Sequence, residues 1–260
     1  VILMCLINFN IGSHQKYKMV LAANRDEFYS RPTASMHYWD DHQNILGGRD
    51  LKAKGTWLAV SKSGKIGALT NIRTPEEMTM EAKKSRGELV VNYLLSEDNP
   101  EDYLKNLADY SSDYAGFNLL AGNPDELYYM NNYDNNVSRV DAGTHGLSNE
   151  YLNTPWPKVV IGKAKLDEVL SEEDIDVDAL FNLLRIDSEA ADDIVQKTGV
   201  DFDLEKKLSP LFIDIPDFDY GTRCSTVVLV DHQDNITLIE RTFKNGVETG
   251  EISETISVNK

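Results

Sequence analysis

Cys5 has the most chemistry available to it. It directly follows Met4 and opens the apolar run Cys5-Leu6-Ile7-Asn8-Phe9. Cysteine is small enough for ordinary initiator-methionine removal, which would leave a thiol and a free α-amine on one residue. An α-amine has a reference pKa of about 7.7–8.0. It can therefore take the thiol proton near neutrality, the single-residue form of nucleophile plus base. Otherwise a lone cysteine is a small buried hydrophobe. Val1-Ile2-Leu3 stand ahead of Met4, and the amine mechanism fails while they stay attached.

The run Asn24-Arg25-Asp26-Glu27 ends the strand expected to pair with the first. Asn24 and Asp26 share a face while the chain is extended. A carboxylate there would orient the amine, and Arg25 would lower the thiol pKa; a solvated turn is the plainer alternative. Asn71 and Asn149 close Leu-Thr-Asn and Leu-Ser-Asn, each at a loop entrance. Turn asparagine is common, but an amide aimed at an oxyanion can be worth roughly 10²–10³ in rate. Arg223 enters a late strand and could hold a carboxylate or phosphate with two prongs. Cys224 reads as a core thiol. The five histidines form no HxH or HExxH group and the cysteines no CxxC pair, so no metal and no cofactor is expected.

The elements that must position these residues come as hairpins at both ends of the chain. Cys5–Ile11 and Tyr17–Ala23 read as paired strands, and 33–55 as loop-rich around Gly47-Gly48. Thr56–Ser61 with Lys65–Thr70 form a hairpin. Ser85 and Glu88 have capping-box spacing for a helix over 85–96, and Pro100 opens another to 110. Strands return at 116–122, 126–131 and 137–140. Thr154 is the expected N-cap of a helix reaching Leu170, with two more helices over 176–186 and 188–197. The stretch 201–220 reads as a mobile or partner-facing loop, and three strands close the chain from Cys224. Without βαβ alternation, the fold class is α+β: a four-layer αββα sandwich of two antiparallel sheets in one domain, 1–260.

The 43 acidic against 26 basic residues give a net charge of −17, which excludes a nucleic-acid backbone as partner. No apolar run is long enough to span a membrane. The apolar start lacks a basic n-region and a small-residue cleavage site, so it reads as a buried strand. Two cysteines without a disulfide framework fit the cytoplasm. A homo-oligomer stays open.

Several segments together resemble the NRDE family. They are Met4-Cys5-Leu6-Ile7, the run Leu21 to Pro32 carrying Asn-Arg-Asp-Glu, Gly55-Thr56-Trp57-Leu58 and Ala68-Leu69-Thr70-Asn71. Ser85-Arg86-Gly87-Glu88-Leu89, Gly116-Phe117-Asn118-Leu119, Gly146-Leu147-Ser148-Asn149, Thr154-Pro155-Trp156 and Tyr220-Gly221-Thr222-Arg223 extend the match through the chain. The layout is distantly similar to N-terminal-nucleophile hydrolases of the choloylglycine hydrolase and acid ceramidase kind, which cut amide bonds with a terminal cysteine. That resemblance implies the αββα fold and roles for Cys5, Asn24 to Phe28, Asn71, Asn149 and Arg223. Asn24-Arg25 stand in reversed order relative to those enzymes, so either Asp26 or Glu27 matches their carboxylate.

The expected function is hydrolysis of an amide or thioester bond in a small acyl substrate. Cys5 is the nucleophile, Asn71 and Asn149 the oxyanion donors, and Arg25, Asp26 and Arg223 the positioning groups. The alternative is a non-catalytic carrier or interaction protein binding a hydrophobic ligand such as acyl-CoA, lipid or haem.

Overall fold

The computed structural model describes residues 4–75 and 83–258. The N-terminal half supplies β1 (Met4–Ile11), β2 (Tyr17–Phe28), β3 (Thr33–Tyr38), β4 (Ile45–Asp50), β5 (Leu58–Ser61) and β6 (Ile66–Asn71). Helices α1 (Gly87–Leu95) and α2 (Pro100–Ala108) follow, then β7 (Phe117–Asn123), β8 (Glu126–Asn131), β9 (Ser138–Arg139) and β10 (Gly143–Leu147). Helices α3 (Pro157–Leu170), α4 (Val177–Leu184) and α5 (Phe202–Lys207) precede β11 (Asp214–Ile215), β12 (Tyr220–Asp231), β13 (Asn235–Lys244) and β14 (Val247–Ser257).

The first sheet runs β10-β1-β2-β12-β13-β14, with β11 added on β12; the second runs β3 to β9 in chain order. Every pair among these strands is antiparallel. Alternating residues split each strand between two faces, and three apolar layers result. Ile7, Phe9, Leu21, Ala23 and Val228 meet Leu46, Leu58, Val60 and Leu120 between the sheets. Leu6, Val20, Ala22 and Val227 pack under Val159, Leu166, Leu180 and Phe181 of α3 and α4. Leu69, Leu119 and Ala121 of the second sheet lie under Leu89, Tyr93 and Leu104 of α1 and α2. This is the expected αββα sandwich.

Six local expectations are corrected. β2 does not end at Ala23 but continues to Phe28, because β1 and β12 pair with it on both sides through the charged run. Residues 33–55 hold β3 and β4 rather than loop. Gly47 and Gly48 sit inside β4 because neighbours leave no room: a Cβ would lie 2.6 Å from Ala59 Cβ and 2.3 Å from Trp57. No capping box forms at α1, since Glu88 instead accepts the Tyr114 hydroxyl at 2.7 Å. Trp156, not Thr154, is the N-cap of α3. Residues 188–197 form no helix, while 201–220 is built into the fold: α5 is capped by Asp201, and Leu208, Leu211, Phe212 and Ile213 are buried.

Candidate active site

Strand register places the chemistry. Cys5 stands opposite Arg25, and Arg25 opposite Cys224, across β1, β2 and β12. By strand alternation these three share the face of Ile7 and Ala23, towards the second sheet. Asp26 and Thr222 form the next row, and Leu6, Asn24 and Ser225 the row on the other side. These two rows face the helices. Arg223 is the extra residue of a bulge between Thr222 and Cys224; bulges re-aim side chains at strand ends.

Cys5 is buried, and its thiol pKa is pushed up to about 12. Burial is the main cause, with Asp26 adding to it; Arg25 and the backbone N–H of Asp26 act in the opposite direction. Arg25 is held between the sheets. Its guanidinium stacks 4.2 Å over the Trp57 ring and donates to Thr33 Oγ1 at 3.1 Å. Glu27 lies 3.6 Å from Arg25 and 3.4 Å from Arg31.

Asp26 and Glu27 point to opposite sides of the sheet. Asp26 Oδ1 accepts from Thr222 Oγ1 at 2.7 Å. Asp26 Oδ2 is buried with no hydrogen-bond partner among the described residues. Burial raises the Asp26 pKa, opposed by Lys158. Asn24 is committed on the helix side: it donates to Leu184 O at 2.9 Å and Leu211 O at 2.8 Å, and accepts from Ser225 Oγ at 2.6 Å.

Asn149 reaches Cys5 through its neighbour. Ser148 Oγ donates to the Cys5 carbonyl at 2.9 Å, and Asn149 Nδ2 donates to the Asn71 carbonyl at 2.9 Å. Thr70 Oγ1 donates to Ser148 O at 2.6 Å, locking the end of β6 to the loop after β10. Asn71 and Asn149 therefore meet through a main-chain carbonyl. Arg223 stands apart from the thiol, donating to Phe28 O at 2.7 Å and Arg31 O at 3.0 Å. It lines an open cleft of about 260 Å³ with Tyr29, Trp57, Cys224 and Glu240. This cleft reaches Trp57 and Cys224, the residues that flank Arg25.

Three buried charges escaped the sequence reading. Lys158 is fully buried in the first turn of α3, and its Nζ has no hydrogen-bond partner among the described residues. Burial lowers its pKa, Asp26 opposes that, and Arg73 reinforces it. Arg73 follows β6 and pairs with Glu205 of α5 at 2.6 Å, while its Nε and Nη1 lack described partners. A signal was present for Lys158. It shares the inner stripe of α3 with Gly162 and Leu166 at four-residue spacing, where a lysine is out of place. Gly162 brings that helix close to β1, since a Cβ there would lie 2.4 Å from Asn8 Oδ1.

The family model described as Transport and Golgi organisation 2 matches residues 4–245. The chain belongs to that family. The match begins at Met4 and covers the site residues of both sheets. It bears out the resemblance read from the motifs. The Transport and Golgi organization protein 2 homolog of Homo sapiens is 34% identical over 261 residues, covering 92% of this chain and 93% of the relative. The Mus musculus homolog is 33% identical over 259 residues with the same coverage. The Drosophila melanogaster Transport and Golgi organization protein 2 is 30% identical over 276 residues, 97% of this chain and 96% of its own. Among solved structures, the Caenorhabditis elegans N-acylethanolamine-hydrolyzing acid amidase (NAAA) ortholog aligns over 87% of this chain and 92% of its own. Its TM-score is 0.41 at 8% identity, a likeness too slight to carry an argument.

Proposed function

We propose that this chain is an N-terminal cysteine hydrolase that cleaves an amide or thioester bond of a small acyl substrate. The observation that carries the reading is the pairing of Cys5 with Asp26. The Asp26 backbone N–H favours the thiolate of Cys5, the unpartnered Oδ2 of Asp26 is buried, and its register partner is Met4, the residue to be removed. Cutting the Met4–Cys5 bond creates the α-amine beside that carboxylate, which orients it. The thiol then attacks the acyl carbonyl and its proton passes to the amine. The amine hands the proton to the departing amine or thiolate as the carbon–heteroatom bond breaks. Water, deprotonated by the same amine, releases the acid from the thioester. The amides of Asn149 and Asn71 serve the oxyanion, and Arg25 and Arg223 position the nucleophile strand and the substrate cleft.

A second reading is favoured by one observation, the burial and high pKa of Cys5 while Met4 is attached. In that state the thiol is inert, and the protein acts as a non-catalytic carrier of a hydrophobic ligand.

Intact-mass spectrometry decides between them. Protein isolated from its native host is expected to begin at Cys5 and to gain one adduct from an electrophilic acyl probe, lost in Cys5→Ala. Full turnover by protein still carrying Val1 to Met4 overturns the hydrolase reading. Absence of any trapped acyl-enzyme, with the ligand retained by Cys5→Ala, supports the carrier.

A further inference from the structure

The helix side of β1 holds two cations that the hydrolase chemistry does not use. Lys158 and Arg73 arrive from different elements, the first turn of α3 and the segment after β6. Both are buried; the Arg73 guanidinium lies against Trp156, the residue that caps α3, and it acts on Lys158 as a like charge that disfavours the protonated amine. Three nitrogens, Lys158 Nζ and Arg73 Nε and Nη1, have no hydrogen-bond partner among the described residues. Leaving a buried ammonium or guanidinium donor unmatched costs more than the loss of an ordinary hydrogen bond.

The surrounding structure fixes this arrangement rather than relieving it. Arg73 is anchored through Nη2 to Glu205 at 2.6 Å and lies 5.4 Å from the Trp156 ring. Glu205 in turn accepts from Gln196 Nε2 at 3.1 Å, from the Thr198 N–H at 3.2 Å and from the Thr198 hydroxyl. Its capacity is taken, so it does not turn towards Lys158. Asp26 Oδ2 is no ion-pair partner of Lys158 either, since among the described residues no carboxylate oxygen lies within 4.0 Å of Nζ. Lys158 cannot leave the interior, because Gly162, one turn on, packs α3 directly on Asn8 of β1.

We propose that Lys158 and Arg73 form a binding site for a monocarboxylate, free or as the acidic end of a larger ligand. One planar acceptor group between them would turn mutual repulsion into two charge-assisted hydrogen bonds. Charge balance selects the class. Lys158 and Arg73 already face Asp26 and Glu205, so one further negative charge is tolerated where a phosphate dianion would be repelled. The Trp156 ring, 5.4 Å from the Arg73 guanidinium, offers apolar surface to an aliphatic chain beyond the carboxylate. The site needs no reaction at Cys5.

The test is thermal unfolding of the full chain in sodium butyrate, with sodium chloride of matched ionic strength and sodium phosphate as the other arms. A ligand that binds only the folded state raises Tm saturably. Butyrate is expected to do so, chloride and phosphate not. Lys158→Met should weaken the apparent butyrate affinity at least about tenfold. Arg73→Lys, which keeps the charge facing Glu205, should weaken it as well and carries the test if Lys158→Met does not fold. Cys5→Ala should respond as the parent does, which separates this site from the fate of the hydrolase reading. Superimposable butyrate and chloride curves, an undiminished response in both variants, or preference for phosphate overturns the proposal.

Discussion

Cys5 and Arg25 share one register position on neighbouring strands, yet the thiol beside that guanidinium is held protonated. Burial outweighs the nearby positive charge because the guanidinium is engaged elsewhere, over Trp57 and on Thr33. The Cys224 thiol, on the other side of Arg25, is raised as well, again by burial first and then by Glu240. At pH 8 a thiol of pKa about 12 carries on the order of 10³-fold less thiolate than a free cysteine. With Met4 attached, disulfide-exchange labelling of the native protein should therefore be slower by that order than labelling in strong denaturant. Two thiols titrated within the mixing time of the native sample would contradict it.

Asp26 and Lys158 are shifted in opposite senses by the same burial. An acid whose folded pKa is raised binds more protons folded than unfolded, so stability grows as pH falls through that value towards 3.8. A lysine whose folded pKa is depressed binds fewer, so stability grows as pH rises from that value to 10.5. Neutral pH is therefore where this pair costs the fold most. The double variant Asp26→Asn, Lys158→Met should be more stable than the parent at pH 7 by about 1–4 kcal/mol. The gain should shrink towards both pH extremes. Urea unfolding at three pH values measures it, and a gain independent of pH would show that the pair is not its source.

The legible part of the fold was what periodicity controls. The alternating runs of β1, β5 to β8 and β12 declare themselves, because each has one or both faces in an apolar layer. The charged run of β2 misled for a physical reason. Asn24, Arg25, Asp26 and Glu27 are polar but buried, and the first three are compensated by partners distant in sequence, Leu211, Trp57 and Thr222 in turn, while Glu27 meets Arg31 four residues on. Burial of that kind leaves no local trace. Segment 188–213 misled for the same reason, its ordering resting on contacts such as Ser209 with Ala190 and Glu205 with Arg73. Lys158 had a trace, its place on the inner stripe of α3, but the opposing cation arrives from 85 positions earlier, where β6 has just ended.

Asn24 tests how far a motif residue serves the fold. Its side-chain amide bridges the end of α4, the buried segment before β11 and β12, through Leu184, Leu211 and Ser225. Asn24→Ala removes three buried hydrogen bonds and leaves two carbonyls and a hydroxyl unmatched, a loss of about 2–4 kcal/mol. Asn24→Asp should cost at least as much, since a carboxylate cannot donate to the two carbonyls and would face them as a like partial charge. The midpoint of urea unfolding should fall in both variants, with Asn24→Asp partly recovering as pH drops and the carboxyl regains a proton to donate. Unchanged stability with lost turnover would instead assign Asn24 to the reaction. The two arms of α4 and β12 would then need another tie, and none of the described hydrogen bonds at Leu184 supplies one.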